Sequence, residues 1–158
     1  MSEPSIRRAV FDCNTLLQAM ATPHGPAGEC MARAVAGSIQ LFASAAIIAE
    51  LREVSQRPVV VRKLGLTSRR AQQFLITLEA TATFLDEFSE PFHYGRDPDD
   101  SIYVNLAIAC GGMLVVSRDR DLLDLMNDAN AEGKALRIAY PAFHVLTPPE
   151  FLRSLPAK

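Results

Sequence analysis

Apolar residues along the chain fall into short continuous runs that alternate with longer stretches of mixed apolar and polar positions. Three runs carry the strand pattern. They are Ala9, Val10 and Phe11 within residues 6–12, "IQLFAS" over 39–44, and "MLVVS" over 113–117, the most continuous of them. Runs of this kind suit strands buried on both faces. The mixed stretches read as helices with recognisable ends. Residues 25–37 run to a stop at Gly37, and Ser44 suits the N-cap of a helix over about 45–56. Thr67 or Ser68 starts a helix over about 69–81, and an apolar helix over about 99–110 stops at Gly111 and Gly112. "RDRDLLDLMNDANAEG", residues 118–133, predicts a helix closed by Gly133. "TATFLDEF", "ALRIA" and "HVLT" are further strand candidates, and "VVVRKLG" after Pro58 fits either a short strand or a helical turn. "PPEFLRSL" predicts a short terminal helix with proline at its start.

Strands alternating with helices imply βαβ crossovers and a mostly parallel sheet covered on both faces, an α/β class. Ligand sites in such sheets form beyond the carboxyl ends of the strands. Several of the acids share that address. Asp12 follows the first apolar run directly, with Cys13, Asn14 and Thr15 behind it before the apolar segment Leu16 to Met20 resumes. Asp119 and Asp121 follow "MLVVS" in the same way. Asp97, Asp99 and Asp100 stand at the amino end of the helix leading into "MLVVS", which runs antiparallel to the strands and so begins at the same rim. On the 45–56 helix, at about 100° per residue, Ile47, Leu51 and Val54 form one apolar arc. Glu50 falls at the margin of that arc and Glu53 further round, so Glu50 is the acid able to look inward. Carboxylates gathered on one rim repel each other unless a positive charge sits between them. A hard divalent cation does this, and oxygen-only ligands suit Mg²⁺ or Mn²⁺. Such a cluster can orient a water and neutralise charge on a phosphodiester.

Composition narrows the picture without deciding it. With 158 residues, 49% hydrophobic and 22% charged, the chain suits one globular domain, and it has no repeat, low-complexity run or long linker. No apolar run reaches the ~18–20 residues of a membrane span, and the N-terminus lacks a signal-peptide pattern. Cys13, Cys30 and Cys110 are widely spaced and odd in number, with no zinc-type C-x-x-C, and read as reduced core residues of a cytosolic protein. His24, His93 and His144 have no metal-ligand spacing. The net charge of −2 does not announce a nucleic-acid binder, yet 13 of the 16 basic residues are arginine, a side chain suited to bidentate phosphate contacts.

The chain resembles the PIN-domain nucleases, and especially the branch of toxin components of toxin–antitoxin pairs. The motifs are "VFDCNTLL", "FASAAIIAELREV", "RDPDDSIYVNLAIACGGMLVVSRDRDLLDL" and the terminal "LTPPEFL", together spanning about residues 6–152. The resemblance implies a three-layer α/β/α domain over residues 1–158 and dependence on Mg²⁺ or Mn²⁺. It also implies cleavage of RNA, a small antitoxin that blocks the site, and homodimers. Position by position, Asp12 matches the first metal-binding acid and Asn14 its polar companion. Glu50 matches the acid of the second helix. Asp100 matches the third acid, with Asp97 as the neighbour that could replace or assist it. Asp119 matches the fourth acid, with Asp121 as an accessory, and Ser117 fits the hydroxyl position just before it.

The expectation is therefore a cytoplasmic metal-dependent endoribonuclease. Asp12, Glu50, Asp100 and Asp119 hold the cation, and Arg118 or Arg120 contacts flanking phosphates. Two other classes stand beside it. One is a non-catalytic RNA- or protein-binding relative, which predicts lost acids where this chain has all four. The other is a haloacid-dehalogenase-like phosphatase, whose chemistry wants a second acid two residues after the strand-end Asp, where this chain has Asn14.

Overall fold

The computed structural model describes residues 6–157. Strand β1 (Arg7–Phe11) runs straight into helix α1 (Cys13–Ala21), with Asp12 as the N-cap between them. Helix α2 (Pro26–Val35), strand β2 (Ile39–Ala43) and helix α3 (Ala45–Val54) follow. Ser44 caps α3 by accepting from Ile47 N, and Thr67 caps α5 (Ser68–Thr81) by accepting from Arg70 N. Between them lies α4 (Pro58–Leu64). The ambiguous "VVVRKLG" is thus helical, because Pro58 presets the first turn and Gly65 takes the left-handed conformation that ends it. The second half holds β3 (Thr83–Phe84), α6 (Ser101–Ala109), β4 (Leu114–Val116) and α7 (Arg120–Leu123). It closes with α8 (Ala131–Ala139), β5 (His144–Leu146) and α9 (Pro148–Ser154).

All five strands pair in parallel, in the order β3-β2-β1-β4-β5. Ala9 lies opposite Leu41, and Val10 opposite Val115. The three residues of β4 and the last three of β1 are buried, as the continuous apolar runs require. Helix α6 packs across β1, β2 and β4, whereas α2 packs on α1 and α9, giving a three-layer α/β/α arrangement. Phe11 meets the edge of Phe151 on α9 at 6.3 Å between ring centroids. No helix among the described residues is long and apolar enough to cross a membrane.

Two expectations fail in the second half of the chain. Residues 118–133 do not form one helix: α7 tightens into a 3₁₀ turn at Asp124–Met126, and the chain then breaks at 127–130. The cause is the pair of asparagines. Asn127 Oδ1 accepts from Ala129 N and Asn130 Oδ1 from Gly133 N, so each side chain replaces a helical carbonyl as the acceptor. Gly133 does not end a helix but lies in the first turn of α8, where a Cβ would overlap the carbonyl of Leu125. "ALRIA" is accordingly helix, not strand: Leu136 faces the core while Ile138 is 73% exposed. "TATFLDEF" shrinks to a two-residue strand at the sheet edge.

The chain leaves β1 toward β2 and β3 on one side and returns to β4 and β5 on the other. The strand order therefore reverses between β1 and β4. In open parallel sheets the crevice at the carboxyl ends of such a pair is the default place for a ligand.

Candidate metal centre

The loop after β1 and the loop after β4 meet at that crevice. Asp12 N donates to Val116 O at 3.3 Å, and Thr15 Oγ1 donates to the same carbonyl at 3.1 Å, which ties the start of α1 to the end of β4. Asp12 is 3% exposed. Its Oδ1 caps α1 by accepting from Thr15 N at 2.9 Å, and its Oδ2 accepts from the Ser117 hydroxyl at 2.5 Å. Ser117, fully buried, uses the same oxygen to accept from Asp119 N at 2.8 Å. One hydroxyl thus locks the acid of β1 to the acid-bearing turn of β4. Asp119 in turn caps α7 by accepting from Asp121 N.

The third acidic segment arrives from α6. Asp97 precedes and Asp100 ends a single 3₁₀ turn at Pro98–Asp100 that runs directly into α6. Carboxylate oxygens of Asp97, Asp100 and Asp119 all lie within 4.8 Å of one another. Among the described residues this is the tight triad, and both candidates for the third acid belong to it. Asp100 is buried, and its Oδ2 has no hydrogen-bond partner. Burial pushes its carboxyl up to about 8, helped by the negative charges of Asp119, Asp97 and Asp12. Burial also raises Asp12, against the hydrogen bonds from Ser117 and Thr15 that lower it. Three clustered carboxylates, one of them with a buried oxygen left unpartnered, are a donor set that fits a hard divalent cation.

The remaining candidates take different places. Glu50 lies outside the triad and is exposed. It is nevertheless fixed: Tyr103 Oη donates to Glu50 Oε2 at 3.2 Å and accepts from Cys13 N at 3.3 Å. Tyr103 is buried three residues after Asp100, and its hydroxyl is raised by burial and by the charges of Glu50, Cys13 and Asp12. Asp121 turns to Arg96, whose Nε lies 2.8 Å from its carboxylate, while Arg96 Nη2 holds Asp124 at 2.8 Å. Arg96 also stacks over Tyr94 at 5.6 Å. The arginine just before Asp97 therefore clasps the helix that carries Asp119 and brings the two acids into register. Asn14, Arg118 and Arg120 are exposed, and Asp99 points to the solvent side of the 3₁₀ turn.

Two open clefts adjoin the acids. The first, of about 510 Å³, runs along α1 past Asn14, Gln18 and Thr22 and is bounded by Lys63, Arg118 and Asp119. The second, of about 750 Å³, is lined by Glu50, Glu90, His93, Asp99 and Glu132 among others. Tyr103 and Arg96 are the residues that sequence reasoning passed over. Tyr103 stands one helical turn beyond Asp100 and Arg96 directly precedes the "DPDD" turn, and that proximity was the available signal.

A family model described as "PIN domain" matches residues 8–121, a span that contains every acid of the triad together with Asp12, Glu50, Arg96 and Tyr103. No curated protein matches the chain.

Proposed function

Because the chain belongs to the PIN-domain family, whose members are in general nucleases, we propose that it hydrolyses RNA phosphodiester bonds with Mg²⁺ or Mn²⁺. The observation that carries this reading is the triad: carboxylate oxygens of Asp97, Asp100 and Asp119 within 4.8 Å of one another, with Asp100 Oδ2 buried and unpartnered. These three acids would hold the cation, which when bound supplies positive charge at the scissile phosphate and acidifies a water. Asp12 supports the centre through Ser117, keeping the Asp119 turn in place while adding negative charge from below. Glu50, oriented by Tyr103 at the mouth of the site, is the exposed carboxylate left to accept a proton or to complete the ligand set. Asp121 is an indirect supporter, through Arg96. Arg118 and Arg120 supply cations for flanking phosphates, and Asn14 adds a neutral donor at the same corner.

The likeness to toxin components extends the reading to a cytoplasmic nuclease restrained by a small antitoxin, working as one domain and able to pair with a second copy. Purified protein with Mn²⁺ should cleave single-stranded RNA, and EDTA should stop it. Asp100→Asn and Asp119→Asn should each abolish cleavage, and Asp12→Asn should reduce it by at least tenfold. Equal cleavage by wild type and all three variants would mark a contaminant and refute the proposal.

A further inference from the structure

Most of the guanidinium groups are already engaged. Arg52 pairs with Glu79, Arg57 with Glu53, Arg96 with Asp121 and Asp124, and Arg137 with Asp128. Arg7, Arg8 and Arg70 donate to Ser154, to the Cys110 carbonyl and to the Ala21 carbonyl. Lys63 and Arg118 have no carboxylate partner among the described residues, yet both border the cleft that ends at Asp119. They come from separate elements, Lys63 from α4 and Arg118 from the turn after β4. Between them the lining is uncharged, polar along Asn14, Gln18 and Thr22 and apolar at Pro26, Ala27 and Pro148. Asn14 and Gln18 stand one turn apart on α1 and Thr22 follows at its C-cap, a line of about 12 Å at 1.5 Å per residue. That makes the cleft a track rather than a pit. The second cleft shares no lining residue with it and has the opposite character: Glu50, Glu90, Asp99 and Glu132 line it without a lysine or arginine. A phosphodiester chain meets favourable charge on one flank of the acids and repulsion on the other.

We infer that single-stranded RNA enters the centre along the α1 cleft, with Lys63 and Arg118 each neutralising a backbone phosphate, and that the acidic cleft turns the strand away. This rests on the nuclease reading for the identity of the strand, and it separates Arg118, which lines the track, from Arg120, which does not. It also assigns a role to Lys63, a residue with no function in the sequence pattern alone. Neutral amide and hydroxyl groups along the floor contact any backbone alike, so the track contributes affinity and direction more than sequence choice.

The test is the salt dependence of binding to a short fluorescein-labelled oligouridylate, read by anisotropy with Ca²⁺ present and the oligomer verified intact. Each phosphate contact on a single strand contributes about 0.7 to the slope of log affinity against log salt. Lys63→Gln should make the slope shallower by about 0.7, and Lys63→Gln with Arg118→Gln by about 1.4. Lys134→Gln on α8 and Glu90→Gln in the second cleft should not make it shallower. A double variant with the wild-type slope overturns the proposal, as does an equal loss in Lys134→Gln or the absence of any salt-dependent RNA affinity in wild type. These results are independent of cleavage. A protein that binds RNA along the track but never cuts it refutes the nuclease reading alone.

Discussion

Replacing Asp100 by asparagine removes a carboxyl that burial and the charges of Asp119, Asp97 and Asp12 hold up to about 8, against an ordinary value of 3.8. Between those two values the metal-free folded protein keeps a proton on Asp100 that the unfolded chain has lost. The folded state therefore binds more protons, and stability falls as pH rises through this window, by up to about 1.4 kcal/mol per pH unit, before levelling off above about pH 8. Integrated from about pH 6 to about pH 8, the loss comes to about 2 kcal/mol. Asp100→Asn has no proton to lose, so its stability should lack this component. Urea unfolding in EDTA across that range measures it, and the difference between wild type and variant cancels the histidines, which both proteins share. Asparagine should be the more stable of the two at the alkaline end. Saturating Mn²⁺ should remove the wild-type slope, because the cation replaces the proton, and metal titration near neutral pH should release close to one proton per ion. Parallel pH profiles for the two proteins would refute the reasoning, since the triad would then not be forcing a proton onto Asp100.

Other residues give further expectations. Ser117→Ala deletes a buried hydroxyl that donates to Asp12 and accepts from Asp119 N, so it should cost about 3 kcal/mol, or about 6–12 °C in melting temperature. A loss under about 1 kcal/mol would show the bridge to be dispensable. Arg96→Gln releases Asp121 and Asp124 and should weaken Mn²⁺ binding about tenfold in calorimetry with the fold intact by circular dichroism, as supporting residues of metal sites do; unchanged affinity would remove Arg96 from the site's support. Gly133→Ala drives a methyl into the Leu125 carbonyl and should cost about 1–3 kcal/mol in urea unfolding, whereas a neutral substitution would contradict the close approach of α8.

Much of the fold is legible because β1, β2 and β4 are buried on both faces and their apolar runs have no alternative use. The caps at Ser44 and Thr67 are equally local, each a side chain serving the backbone three residues on. The region 118–139 is not legible in that way. Its helix break is made by Asn127 and Asn130, residues that fit a helix surface as well as a cap, and α8 depends on Gly133 packing against Leu125, a contact between elements. The acids at strand ends were readable from position alone: Asp12 and Asp119 had to share a rim once the sheet was parallel. What periodicity does not reveal is which carboxylates close on each other. Asp97 joins Asp100 and Asp119 with its neighbour Arg96 paired to Asp121, and Glu50, bonded to Tyr103, lies outside the triad. Both arrangements depend on side chains whose partners lie on other elements.

The central claim is that Asp97, Asp100 and Asp119 form a divalent-cation site at the carboxyl ends of the paired strands β1 and β4. Anomalous scattering from a crystal grown with Mn²⁺ tests it most directly. A peak bounded by carboxylates of those three residues, absent from crystals of Asp100→Asn, is the result this geometry predicts. Wild-type crystals with no peak between them, or a peak held elsewhere on the surface and unchanged in the variant, would contradict it.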